Sequence, residues 1–330
     1  MEKCKVRVAI VCGGDSGEYE ISVKSAAVVK SRLDQSLYEA YVIVIQGRKW
    51  FFTNDNGEEF PIDKNDFSLL LNGVKIQFDV AFIAVHGVPG EDGRLQGYFD
   101  MMGIPYTSSS HVVSAVTFNK HFCKQLVFMA GVQVAQSLFL RKHESYQPTE
   151  IIKALGLPLF VKPNSNGSSV GVSKVKQANE LDAAIEHAFR FDQEILIESA
   201  IHGREIGCGV FEIKGRMMVF PLTEIISRKE FFDYEAKYSP GMSEEITPAE
   251  LPEMLEFNIK ATAADLYKRL GCKGFVRFDF IVDNDEIYFL EVNIVPGLSP
   301  ASIVPQQALK MGISLPDLFG MAIQNALKPD

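Results

Sequence analysis

Apolar residues in this chain fall in short runs that alternate with stretches of helical spacing. Val6–Cys12 is a continuous apolar run of the buried-strand kind, ended by Gly13-Gly14, and Ile21–Leu33 follows with a helical pattern. Strand-like runs recur at Tyr41–Ile45 and Asp79–His86, and a helical pattern over Arg94–Met102 stops at Gly103. Strands alternating with helices predict an α/β unit, a doubly wound parallel sheet covered on both faces, over residues 1–114.

A middle segment, 115–205, carries a helix at Lys120–Ala130 with Gly131 beyond its end. Strand runs Leu159–Lys162, Gly171–Val175 and Glu194–Glu198 follow, with a helix at Glu180–Arg190. The last segment, 206–330, is of α+β character. It places a charged, aromatic loop at Arg228–Glu245 before a long helix with Leu255, Ile259, Ala263, Leu266 and Leu270 on one face. Thr247-Pro248-Ala249-Glu250 fits a capping box with Pro at the first helical position, although Pro252 pushes the start later.

The sharpest pattern is a hairpin. Val276, Phe278, Phe280 and Val282 fall on one face of a strand and Arg277 and Asp279 on the other; on the return strand Glu291 and Asn293 share a face. A three-residue loop, Asn284–Glu286, would pair Asp279 with Glu291 and Arg277 with Asn293, with opposed β-carbons about 5 Å apart. A two-residue loop would set Asp279 opposite Leu290 and dissolve the cluster. Two carboxylates and an amide oxygen form a hard site of the kind Mg²⁺ accepts beside nucleotide phosphates, so a metal role requires an odd loop or a bulge. The plainer alternative is an Arg–carboxylate pair on a solvated sheet face.

Other nucleotide signatures are weak or missing. The turn after the first strand has Cys12 where a dinucleotide fingerprint needs Gly, and Gln46 where an acid is wanted. No Gly-Lys dipeptide exists to form a P-loop, and no kinase catalytic-loop pattern is found. Instead, Lys162 ends a strand before Pro163-Asn164-Ser165-Asn166-Gly167-Ser168-Ser169-Val170-Gly171. Small side chains there would let backbone N–H groups and hydroxyls approach an anion, although a solvated turn reads the same way in isolation.

Composition narrows the function classes. A net charge of -9 disfavours a nucleic-acid surface. Five scattered cysteines with no C-x-x-C spacing point to a reducing, cytoplasmic setting. No stretch is long and apolar enough to span a bilayer, so no membrane partner is expected.

Taken in order, Gly13–Glu18 with Ile21-Ser22, His86–Gly93 with Gln96-Gly97, Gly103–Thr107, Val161–Pro163, Gly167–Gly171, Asp233–Tyr238 and Asn293–Pro305 resemble the D-alanine–D-alanine ligase family over nearly the whole chain. The resemblance implies an ATP-grasp fold of three domains. ATP would lie between the second and third domains, with two Mg²⁺ (or Mn²⁺) ions and D-alanine as the small-molecule substrate. By matched position it implies Lys120, Lys162, Ser168 and Lys237 in the ATP site on the phosphate side, and Glu198, Ser199, Ile201 and Glu205 around the adenosine. Asp279, Glu291 and Asn293 would hold metal. Glu18 would anchor the first D-alanine's ammonium, with His86 beside its carboxylate, and Ser302 and Ile303 would meet the second. Ser168 and Tyr238 would connect with Glu18 to close the site, and Arg277 with the Gly297 backbone would form the oxyanion site. A homodimer is also implied. Alternative roles for single residues are a turn or cap position for Glu18, a satisfied structural imidazole for His86, helix-terminal charges for Glu91 and Asp92, and loop surface for Lys237 and Tyr238. Departures from the family pattern at Asn119, Ile294 and Leu298-Ser299 cluster near the second-substrate pocket. This leaves open a relative that uses D-lactate or another acceptor, and a non-catalytic nucleotide-binding homologue.

Overall fold

The computed structural model describes residues 5–227 and 243–327. The first unit is built on β1 (Val6–Gly13), α1 (Tyr19–Arg32), β2 (Tyr38–Gln46), β3 (Lys49–Thr53), β4 (Glu59–Asp63), β5 (Ser68–Leu71), β6 (Val74–Ile76) and β7 (Val80–Ile83). Its sheet runs β6-β5-β4-β3-β2-β1-β7. Only β2-β1-β7 is parallel. The run β2 to β6 is an antiparallel meander that the expected parallel pattern does not include. Its strands are short and joined by tight polar turns, so the period-2 signal barely repeats before each turn. Helix α2 (Arg94–Met102) takes the predicted bounds and ends at Gly103, whose φ of 66° is the left-handed value of a helix C-cap.

Helices α3 (His111–Phe118) and α4 (Lys120–Met129) and the short β8 (Gln133–Val134), which joins the last unit's sheet, lead to the middle unit: β9 (Ser137–Arg141), α5 (Pro148–Leu155), β10 (Leu159–Pro163), β11 (Ser173–Val175), α6 (Leu181–Ala188) and β12 (Glu194–Ser199). Asn119 caps α4 by accepting from the Phe122 N–H at 3.0 Å, as Asp would, so this departure leaves the helix start intact. The four-stranded antiparallel sheet β11-β10-β12-β9 has its own core of Leu159, Val161, Ile195, Ile197, Leu181 and Ile185.

The last unit contains β13 (Arg204–Ile213), β14 (Arg216–Val219), β15 (Thr223–Ser227), β16 (Ser243–Ile246), α7 (Glu253–Arg269), β17 (Val276–Asp283), β18 (Glu286–Asn293), α8 (Ile303–Lys310) and α9 (Leu315–Ala326). Its sheet runs β16-β15-β13-β17-β18-β8. Helix α7 buries Leu255, Ile259, Ala263 and Leu266 as its spacing predicts. The proposed capping box does not form. The helix starts at Glu253 after Pro252, and the Thr247 hydroxyl instead bonds Thr223 Oγ1 at 2.7 Å. Helix α9 packs against the first unit, with Phe319 edge-on to Phe82 of β7 at 5.8 Å between ring centroids. The first sheet therefore has one face covered by the chain's far end.

Candidate nucleotide and substrate clefts

The turn between β17 and β18 has two residues, Asn284 and Asp285, both with positive φ (47° and 67°), as a type I′ hairpin turn requires. Of the two arrangements that bring the acids together, the three-residue loop does not form, and with a two-residue turn a regular ladder would pair Asp279 with Leu290. The other arrangement, a bulge, lies between Asp279 and Phe280. Phe280 pairs with Phe289, Leu290 is the extra residue, and Asp279 then opposes Glu291 and Arg277 opposes Asn293. The four polar side chains therefore share one face. The neighbouring strand β13 offers Gly207 opposite Asp279 and Gly209 opposite Arg277. A β-carbon on Gly207 would lie 3.3 Å from Asp279 Oδ1, so the missing side chain is what leaves the carboxylate its space.

Asp279 is 1% exposed. Its carboxylate takes Arg277 in a two-pronged contact, Nε to Oδ1 and Nη2 to Oδ2, both at 2.8 Å, and accepts from Asn293 Nδ2 at 2.9 Å. Burial opposes the Arg277 charge, but Asp279 outweighs it and holds the guanidinium above its ordinary pKa. The Arg–carboxylate pair of the plainer reading therefore exists, but in a buried cleft wall rather than on a solvated face.

One cleft lies between the two sheets. Phe160, Lys162, Glu198 and Ser199 of the middle sheet face Ile281, Tyr288, Leu290 and Glu291, with Lys120, Ile201 and Glu205 at its edges. Of the residues expected around ATP, Lys120, Lys162, Glu198, Ser199, Ile201 and Glu205 line it, Ser168 lies in the adjoining space beside Lys120 and Glu291, and Lys237 lies outside the described residues, as do Tyr238 and most of the expected loop Arg228–Glu245. Glu198 is 3% exposed and pairs with both Lys124 and Lys162. Burial raises its pKa, but the two ammonium groups outweigh that and hold it at about 2. Lys124 was not singled out from sequence. The available signal was its position four residues after Lys120, on the same side of α4.

The loop after β10 is tied down from below. Buried Asn164 accepts the His121 N–H at 2.9 Å and donates to Glu194, while Lys120 Nζ donates to the Asn166 carbonyl at 2.7 Å. Ser168 and Ser169 both have positive φ (51° and 56°). The loop reaches the first unit: the Ser168 hydroxyl donates to Glu18 Oε1, and a β-carbon on Gly167 would meet Glu18 Oε2 at 2.7 Å. Glu18 stands in the turn at the N-cap position of α1, where its carbonyl accepts the Ser22 N–H at 2.9 Å, but its side chain makes no cap and turns to the loop instead.

A second cleft gathers Glu18, His86, Glu91, Ser168, Arg277, Asn293, Gly297, Ser302 and Ile303. His86 is buried, with Nε2 2.9 Å from Ser25 Oγ and Nδ1 2.9 Å from the Val295 carbonyl. Burial lowers its pKa, so the neutral ring is favoured. The ring is thus a satisfied imidazole that also lines the cleft. Glu91 does not serve the start of α2; its carboxylate accepts the Gly87 N–H at 3.0 Å, and burial, followed by the Glu18 charge, pushes it up to about 8. Ser302 precedes α8 but bonds Ser299 Oγ at 2.9 Å rather than capping. Glu245, also unforeseen, lines the same cleft and accepts from Gln306 Nε2 at 3.0 Å. The two clefts meet through a passage lined by Glu91, Lys120, Asn166, Ser168, Glu291 and Asn293.

Family models described as the N-terminus and C-terminus of D-ala D-ala ligase match residues 7–109 and 126–324. The chain belongs to the D-alanine–D-alanine ligase family. A D-alanine–D-alanine ligase of Flavobacterium johnsoniae is 48% identical over 97% of this chain and 99% of its own length. The VanG D-Ala:D-Ser ligase from Enterococcus faecalis superimposes with a TM-score of 0.88 at 33% identity, covering 98% of this chain and 100% of that one. D-alanine–D-alanine ligase from Bacillus anthracis complexed with ATP is 30% identical with a TM-score of 0.77, over 98% and 97%. ATP-grasp architecture, expected from the motifs, is thus the fold of this ligase family member. No helix among the described residues is long and apolar enough to cross a membrane.

Proposed function

We infer that this chain joins two D-alanine molecules with ATP, releasing ADP and phosphate, and so supplies D-alanyl-D-alanine for peptidoglycan precursors. The observation that carries this is the continuity of the two clefts: an anion loop and lysines on one side open directly onto a carboxylate, an arginine and helix-start residues on the other.

A carboxylate is a poor electrophile, so phosphoryl transfer from ATP to the first D-alanine must come before amide formation. Lys120 and Lys162 hold the phosphates, with Ser168 and Ser169 directing loop N–H groups at the transferring group. The adenosine lies against Ile201 and the backbone around Ser199, with Glu205 at the ribose end. Glu18 takes the ammonium of the first D-alanine, and neutral His86 lies near its carboxylate without adding charge. When the second amine attacks, the oxyanion develops against Arg277 and the Gly297 N–H. Asp279 fixes the guanidinium plane so that the donors do not reorganise. Ser302 and Ile303 orient the acceptor, and Tyr238 and Lys237 are assigned to closing the site over the reactive acyl phosphate.

Two carboxylates and an amide on one face fit a divalent ion that takes its remaining ligands from phosphates and water, and Gly207 leaves the space beside Asp279. Asp279, Glu291 and Asn293 would hold two Mg²⁺ or Mn²⁺ ions, which neutralise phosphate charge when bound. The buried, scattered cysteines fit a cytoplasmic enzyme. Exposed Phe122, Leu126 and Met129, at i, i+4 and i+7 on α4, suit a homodimer contact. Sedimentation at micromolar concentration tests that assembly, and a monomer there rejects it.

The deciding assay mixes protein, ATP and Mg²⁺ with D-alanine, with D-alanine plus D-lactate, or with no acceptor, and follows phosphate release and product mass. Release with D-alanine alone and a dipeptide product is expected. A folded protein that releases no phosphate with any of them would refute the reading.

A further inference from the structure

The nucleotide cleft has a buried carboxylate with two ammonium partners. Lys124 reaches one oxygen of Glu198 from α4, and Lys162 reaches the other from β10. The two lysines are not equivalent. Lys124 has 4% of its side chain exposed, on α4. Lys162 is the more open, at 11%, at the strand end that feeds the phosphate loop. In this form Lys162 spends its charge on Glu198. To hold a phosphate it must leave, and Glu198 would then be a buried carboxylate with no cation, a state of high cost.

We propose that Lys124 is a positioning residue for phosphate binding: it stays on Glu198 while Lys162 exchanges that carboxylate for a phosphate oxygen of ATP. Burial of the pair makes the exchange possible, since Glu198 keeps one full counter-charge throughout. The inference rests on the assignment of Lys162 to the ATP phosphates. Lys124 itself carries no role in that assignment. Its ammonium is occupied by Glu198, which makes it a support for the phosphate site rather than a phosphate ligand.

The test measures affinity of the full-length protein for ATP and for adenosine, both with Mg²⁺ and without D-alanine, by titration calorimetry. Lys124→Met is expected to weaken ATP about tenfold while changing adenosine by less than about twofold, because only the phosphate end requires Lys162 to move. Lys124→Met/Glu198→Gln is expected to regain most of that loss, since the carboxylate that retained Lys162 is gone. Lys124→Arg should also preserve the ratio. Equal weakening of ATP and adenosine in Lys124→Met, or a double variant no better than the single, overturns the proposal. Where Lys124→Met does not fold, Glu198→Gln decides alone: the ATP-to-adenosine affinity ratio should hold or rise, and a fall of more than about threefold overturns the exchange. Lys162→Met checks the underlying assignment separately. ATP affinity equal to wild type in that variant removes Lys162 from the phosphates, whatever Lys124 does.

Discussion

Replacing Asp279 by Asn tests whether the hairpin face is organised around one charge pair. The side chain is 1% exposed and makes three contacts of 2.8–2.9 Å, two from Arg277 and one from Asn293. Asn keeps the shape but has no charge and a donor where one oxygen was, so Arg277 loses its counter-ion with only 15% of its side chain in contact with solvent. Breaking a buried pair from one side costs about 3–5 kcal/mol. At about 2–4 °C per kcal/mol for a unit of this size, the thermal midpoint should fall by roughly 6–20 °C. Scanning calorimetry on the full chain reads this directly. Arg277→Gln/Asp279→Asn should recover much of the lost stability, because both charges leave together. Phosphate release should be lost in both variants. A midpoint within about 2 °C of wild type for Asp279→Asn, or a double variant less stable than the single, would show that the pair does not organise this face.

Glu291→Gln should nearly abolish ATP- and D-alanine-dependent phosphate release while leaving the melting temperature within about 2 °C, as the residue is only half-buried in the cleft wall. Near-normal release would remove Glu291 from the metal set. Gly167→Ala puts a β-carbon 2.7 Å from Glu18 Oε2, so Glu18 must swing away; the KM for D-alanine should rise about tenfold or more with ATP binding little changed, and an unaltered KM would detach Glu18 from the substrate. Glu198 has its carboxyl held at about 2, below the unfolded value. Its stabilising contribution is therefore fully present above pH 4.5 and lost as pH falls toward 2. In Glu198→Gln the acid limb of stability against pH should be shallower over that window in urea titrations, and an unchanged limb would contradict the pairing.

Several site features were legible in the sequence because they are local. Alternation alone put Arg277 and Asp279 on one face and Glu291 and Asn293 on another, and the lysine before a small-residue loop marked a phosphate cover. What alternation could not supply was the join between the two faces. Turn length and bulge placement each shift register by one residue, and the two shifts compensate here. Asn284-Asp285 forms a two-residue type I′ turn, and that turn by itself misplaces Asp279. Lys124 and Glu245 were missed for another reason: each is set in the cleft wall by a partner distant in sequence, Glu198 and Gln306.

The sequence by itself determined which segments bury apolar faces, the α/β order of the first unit, the ends of helix α2, and the residue types that suit phosphate and metal. Those follow from short-range periodicity, capping and side-chain chemistry, which act within a few residues. The tertiary structure alone decided three things. The bulge at Leu290 brings the acids opposite each other, the C-terminal helix packs on the first sheet, and Glu198 shares two lysines in one wall of the nucleotide cleft. Each depends on contacts between segments far apart in the chain, where packing and buried charge outweigh local preference.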